Sequence, residues 1–278
     1  LESTKSKQRI IFNLKWCKKM GILTLVKRDL YTSTSWYGYR ISLFFIINLL
    51  VSFLLSMRFS GDFSIGDLIL IFWQISSPKQ GFNLLAFFHP ILILITIGSY
   101  IYDDFKNSSF VLVRLQNRKY FWFAKCTWSF ISIIALNFLS IIAWCLGSYN
   151  KLKFSFVLIS QYTKENITSY LQIKITDIEL IYTTIILYLL GLICISLIQM
   201  YISLFLESIY IFIINIIMLG CAQFTSWIIS PSVHIAITKH SIFKNNYLEI
   251  EQSIVFFIII IFFIVIFGIK TLNTKDIL

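Results

Sequence analysis

Residues 102–125 read YDDFKNSSFVLVRLQNRKYFWFAK, a polar and basic stretch set between two runs too apolar for a water-soluble protein. Here charge and hydrophobicity interleave at helical spacing. Asp103 and Asp104 open it, where a helix N-terminus favours negative charge, and Arg114, Arg118 and Lys119 close it, where a C-terminus favours positive charge. Phe105, Leu112 and Leu115 fall near one side with Phe110 and Val113 beside them, so the spacing predicts a short amphipathic helix over 102–120, lying against a surface. A charged loop is the plain alternative.

The rest of the chain explains why this stretch stands out. Of 278 residues, 58% are apolar, 17% aromatic and only 13% charged, where a soluble domain carries about 25% charge. The apolar residues gather in long runs parted by short polar segments, the pattern of an all-α, polytopic membrane protein. The net charge of +11 sits beside those runs and forms no separate basic domain. Membrane lipid, rather than nucleic acid, is therefore the expected partner of the basic residues. Cys17, Cys126, Cys145, Cys194 and Cys221 contain no CxxC pair and read as small packing residues.

Six spans are expected, near 41–57, 83–101, 121–146, 179–206, 208–230 and 253–269, within one transmembrane domain. Residues 1–40 hold nine Lys or Arg and no apolar run long enough for a leader, so an interfacial segment, with a helix over 15–31, is expected there. Leu68–Ile75 is too short to cross and reads as interfacial or re-entrant, or as a buried loop. Pro90 bends the second span beside His89, placing that histidine in a wet or protein-lined region. Lys125, one turn into the third span, is expected to snorkel back to the headgroups. The polar 147–178 segment is long enough for its own small structure, with a strand suggested in LKFSFVLI, and Asn166-Ile167-Thr168 matches a glycosylation acceptor. Glu207 alone separates the fourth and fifth spans, which predicts antiparallel neighbours.

With six spans both ends lie on one side, together with the 102–120 helix. Basic residues exceed acids far more on that side, so both termini and the helix are expected in the cytoplasm of a plasma membrane protein. Residues rich in Ile, Phe, Lys, Asn and Tyr are what an AT-rich genome produces, which points to a Gram-positive bacterium.

Catalytic patterns are missing from the sequence. It has no HExxH and no GxSxG, and Gly61 and Gly66 have Walker A spacing but are followed by Asp67 and Leu68 instead of Lys and Ser or Thr. The polar residues within the spans, among them His89, Asn137, Asn215 and Gln223, are mostly neutral amides and form no acid–base chain. A transporter of this composition must take its energy from another subunit.

The layout resembles the permease subunit of type-2 ABC exporters: a basic amphipathic start, two spans, a charged cytoplasmic helix, three spans in close order, an outer polar segment and a last span. Asp103 and Asp104, Ser108 and Ser109, Leu112 to Leu115, Gln116 and Asn117, Arg118, and Lys125 follow the order of that family's loop between its second and third spans. Its Gly and Pro are missing here, and the 147–178 segment is longer than expected. Leu25–Tyr31, LVKRDLY, looks like the family's elbow helix.

The resemblance implies that 102–120 is the coupling helix, with Asp103, Asp104, Phe110, Arg114 and Arg118 contacting a separate ATP-binding cassette subunit. ATP and magnesium would sit on that subunit and no cofactor on this chain. A second permease copy would complete the pathway, with His89, Asn137, Asn215 and Gln223 as candidate residues along it and an amphiphilic or peptide cargo. A stand-alone membrane immunity or peptide-binding protein is the alternative. An intramembrane enzyme would need His89 to share a site with His234 or His240.

Overall fold

The computed structural model describes residues 21–59, 61–74, 84–107, 118–224, 228–244 and 247–274. Nine α-helices carry almost all of the described structure: α1 (Ile22–Arg58), α2 (Ile65–Trp73), α3 (Leu84–Asn107), α4 (Arg118–Gly147), α5 (Gln161–Asn166), α6 (Asp177–Ile202), α7 (Ser208–Phe224), α8 (Pro231–Ile235) and α9 (Ile250–Thr274). Four are long and apolar enough to cross a membrane: α1 from Gly38, α4, α6 and α9, with the apolar part of α7 shorter. The chain is therefore an all-α, membrane-embedded protein.

α1 and α4 run side by side in the same direction. Near their starts Trp128 Nε1 donates to Ser33 Oγ, and near their ends Ser52 Oγ donates to the Trp144 carbonyl. Gly147 lets the two backbones close at that end, because a Cβ there would press on the main chain of Leu49 and Phe53. α3, α6 and α9 run the opposite way. Gln199 of α6 donates to the Leu94 carbonyl of α3 through the space left by Gly98, and the indole of Trp122 on α4 occupies the space left by Gly268 on α9. Ser129 and Ser196 join α4 to α6 at 2.8 Å. These amide and hydroxyl contacts are the interhelical bonds that polar residues supply in a lipid environment.

Several expectations change. α1 is one continuous helix of 37 residues, about 55 Å at 1.5 Å per residue. The chain does not turn between Tyr31 and the span, because Leu25, Val26, Arg28 and Asp29 are buried within the protein rather than laid on a surface. Residues 68–73 belong to α2, whose residues from Gly66 to Trp73 are all buried and which begins with a Ser64–Asp67 capping box, and residue 75 lies outside the described residues. α2 enters the bundle from the end where α4 finishes, and stacks Phe72 on Trp144 and Trp73 on Tyr188.

The short turn at Glu207 does not give two helices packed along their length. α8 inserts beside α6, its Ile235 filling the space at Gly191, while Ser232 donates to the Met218 carbonyl of α7. Gly191, with no side chain, leaves room for that wedge.

The 147–178 segment is ordered around a two-residue parallel pairing, Phe63–Ser64 (β1) with Leu152–Lys153 (β2), so the expected strand shrinks to its first two residues. Thr176 and Glu179 form a capping box that starts α6. Asn166, of the glycosylation triplet, donates to the Tyr162 carbonyl in α5. α9 buries only a stripe of Ser253, Phe257, Ile264, Gly268 and Leu272, leaving its other faces outward as expected of a lipid-facing helix. Cys126, Cys145, Cys194 and Cys221 form no disulfide among the described residues.

Candidate functional site

Where α1, α3 and α4 meet, two acids and two bases are buried together. α1 contributes the neighbours Arg28 and Asp29. The last turns of α3 contribute Tyr100 and Asp104, and the first turns of α4 Phe121 and Lys125, each pair at i, i+4 and so on one helix face.

Asp29 Oδ1 accepts from Arg28 Nε at 2.9 Å, Arg28 Nη2 at 2.6 Å and the Tyr100 hydroxyl at 3.0 Å. Asp104 Oδ2 is shared, lying 3.2 Å from Arg28 Nη2 and 2.6 Å from Lys125 Nζ. Lys125 Nζ also lies 2.9 Å from Asp29 Oδ2, an ion pair by distance whose alignment falls short of a hydrogen bond. Tyr100 and Phe121 present ring faces to the Lys125 ammonium, and Phe121 also faces the Arg28 guanidinium.

The four charges cancel, which is the condition for holding them out of water. The Lys125 side chain is 0% exposed and that of Asp104 15%, so the knot reaches solvent through Asp104. Burial alone would lower the Arg28 pKa, but Asp104 and Asp29 outweigh it and leave the guanidinium above its ordinary value. For Asp104 burial would raise the pKa, and Lys125 and Arg28 hold it below the usual carboxylate range. Arg28 Nη1 is a buried donor that makes no hydrogen bond among the described residues.

Two expectations are corrected here. Lys125 does not snorkel, because two carboxylates hold it inside. Asp104 pairs with Arg28 and Lys125 within the chain, and Asp103 stays half-exposed. Asp103 and Asp104 end α3 rather than open a new helix, and Arg118 begins α4 rather than closing one. Arg118 donates to the Leu272 carbonyl at 3.1 Å, near the C-terminal end of α9, where a cation complements the helix dipole. Phe110 and Arg114, with the rest of 108–117, lie outside the described residues. Sequence reasoning missed Arg28 and Asp29 as buried partners; the available signal was an acid and a base side by side in a helix leading into a span.

His89 is 2% exposed and both ring nitrogens have partners. Ser140 donates its hydroxyl to the Leu136 carbonyl, so it accepts from His89 Nε2 at 2.9 Å, and His89 Nδ1 accepts from the Tyr188 hydroxyl at 2.6 Å. Phe44 and Trp144 pack beside the ring. His89 is thus a satisfied core histidine.

Asn137 donates to the Ile133 carbonyl of its own helix, and its Oδ1 makes no hydrogen bond among the described residues. Asn215 is buried on α7, and the Gln223 side chain lies outside the described residues. Among the described residues no hydrogen bond links His89, Asn137 or Asn215 to one another, none joins His89 to His234 or His240, and no group of three His, Cys, Asp or Glu is placed to hold a metal ion.

Comparison with family models, with curated proteins and with solved structures finds no match.

Proposed function

We propose that this chain is the permease subunit of an ATP-driven exporter of the type-2 ABC class, moving an amphiphilic cargo, with a peptide as the leading class, across a plasma membrane. The observation that carries the reading is the Arg28–Asp29–Asp104–Lys125 knot. It joins α1 to the two helix ends, Asn107 and Arg118, that flank the 108–117 segment. A force applied to that segment by a partner would pass through Asp104 and Lys125 into α1 instead of being lost in a loose loop.

In this reading six spans place both termini and the knot in the cytoplasm, where the basic residues concentrate. The 102–120 region meets an ATP-binding cassette subunit that carries ATP and magnesium, and a second permease copy completes the pathway. Closure of the ATP-binding subunits would rock the permease halves between inward and outward access.

The test is co-purification from native membranes followed by reconstitution. The expected result is a bound nucleotide-binding subunit whose ATP hydrolysis falls at least tenfold in the Arg114→Glu/Arg118→Glu double variant, while this chain still inserts. Recovery of the chain without any such subunit, or unchanged hydrolysis in the double variant, overturns the coupling role and leaves the stand-alone immunity or peptide-binding reading.

A further inference from the structure

At the end of the bundle opposite the knot, a second buried polar group is formed by His234 of α8, His240 just after the 3-10 turn Ile237–Lys239, and Ser253 in the first turns of α9. All three are at most 2% exposed. Four contacts define it. His234 Nε2 lies 2.6 Å from the Ile228 carbonyl and His240 Nδ1 lies 3.1 Å from the Ala236 carbonyl. The other nitrogen of each ring, His234 Nδ1 and His240 Nε2, lies 2.9 Å from the same Ser253 Oγ.

Counting protons shows what this arrangement lacks. Carbonyl oxygens only accept, so both outer contacts are hydrogen bonds only when His234 carries its proton on Nε2 and His240 on Nδ1. A neutral imidazole has one N–H, which leaves His234 Nδ1 and His240 Nε2 as bare lone pairs aimed at one hydroxyl. That hydroxyl has one proton to give. Two ring protons and one hydroxyl proton cannot fill four hydrogen bonds.

We infer that His234, Ser253 and His240 form a binding site for one proton, shared between the two rings through the Ser253 hydroxyl. The proton comes from solvent and adds to one of the bare nitrogens. The resulting imidazolium donates to Ser253 Oγ, and the hydroxyl turns to donate to the other ring. All four contacts are then hydrogen bonds and no heavy atom needs to move. A second proton is excluded, because two imidazolium rings would face each other across a single hydroxyl.

The surroundings set where the site titrates. α6 meets this segment through Gly191, α7 through the Met218 carbonyl, and α9 through Phe256, which stacks on His234, and Phe257. The charged residues nearby along the chain are Lys239, half-buried, and the exposed Lys244, Glu249 and Glu251. None of them forms an ion pair among the described residues. No carboxylate therefore offsets burial, which pulls His234 below the ordinary histidine value and His240 down to about 4. The inference is independent of the exporter reading, since it needs no partner and no cargo.

The experiment follows the ring nitrogens of the full-length chain, labelled with 15N-histidine, in detergent micelles with a chelator present so that the proton is the only ligand. His89, His234 and His240 are the chain's three histidines, and the single variants His234→Gln and His240→Gln assign the signals. At pH 8 the expected result is opposite tautomers, Nε2–H for His234 and Nδ1–H for His240. On acidification the pair takes up one proton with a midpoint below the usual value of about 6.5. In Ser253→Ala the imidazolium loses its acceptor, and the affinity for that proton falls at least tenfold.

Two protons taken up independently, the same tautomer for both rings at pH 8, or an unchanged affinity in Ser253→Ala overturns the proposal. Should a variant fail to fold, the tautomers and proton count of the unaltered chain decide the question.

Discussion

The bundle holds buried carboxylates at both ends, satisfied in opposite ways. At one end Asp29 and Asp104 face Arg28, Lys125 and Tyr100, all side chains, brought together from three helices. At the other, Asp67 is fully buried and forms no ion pair among the described residues. Its Oδ2 accepts from the Ser64 amide and hydroxyl and from the amides of Ile159 and Ser160, at 2.9 to 3.1 Å.

Main-chain amides cannot swap partners without unfolding the turn that presents them, so Asp67 fixes α2 to the 147–178 segment. The side-chain knot shares Asp104 between two cations, and side chains can exchange partners without unfolding the helices that carry them. One end of the molecule is held by main-chain bonds, an anchor, and the other by side-chain pairs, a joint.

The sharpest way to break this comparison is to orphan a charge in the joint. Asp29→Asn leaves Arg28 and Lys125 facing one carboxylate and should cost about 3–5 kcal/mol, read as a loss of thermal stability in detergent. Adding Lys125→Met to Asp29→Asn removes the surplus charge and should restore at least half of that loss. A double variant as unstable as the sum of its parts would mean that the four residues do not act as a unit.

Asp67→Asn tests the anchor. An amide accepts more weakly than a carboxylate, and the expected cost is about 2–3 kcal/mol, with faster amide exchange at Ile159 and Ser160. Unchanged exchange at those two amides would remove Asp67 as the anchor. Gly268→Ala forces Trp122 out of its place beside the joint and should cost about 1–3 kcal/mol, accompanied by a shift in tryptophan fluorescence.

The smallest effect is in pH. Both His234 and His240 have folded-state values below the unfolded value of about 6.5, so the unfolded chain binds more protons on acidification. Their contribution to stability is present above about pH 6.5 and declines toward pH 4. His240→Gln should flatten the decline in melting temperature over that window, and a slope identical to that of the unaltered chain would show that the histidines do not set it.

Part of the helical layout was legible because lipid imposes a one-dimensional rule, and four of the six expected spans have helices long and apolar enough to cross a membrane among the described residues. A spanning helix must be apolar over about 20 residues, and the expected spans at 121–146 and 253–269 became Arg118–Gly147 and Ile250–Thr274. The capping box of Thr176 and Glu179 was not read from the sequence, although its spacing is present there. The candidate site was legible only in part. Asp104 and Lys125 stand in the stretch that the sequence singled out, but their partners lie 76 and 96 positions away in the chain, at Arg28 and Asp29. No periodicity reports a contact at that separation. His89 has the protein-lined surroundings expected of it, but a lone histidine in an apolar run looks alike whether it lines a wet path or bonds to Tyr188 and Ser140.

The sequence by itself determined that this protein is a bundle of apolar helices embedded in a membrane, because burying backbone in lipid leaves few other choices of structure. Only the tertiary structure decided which charges are paired, which carboxylate is an anchor and which histidines contend for one hydroxyl proton. Those outcomes depend on distances of about 3 Å between side chains far apart in the chain, and hydropathy carries no record of them.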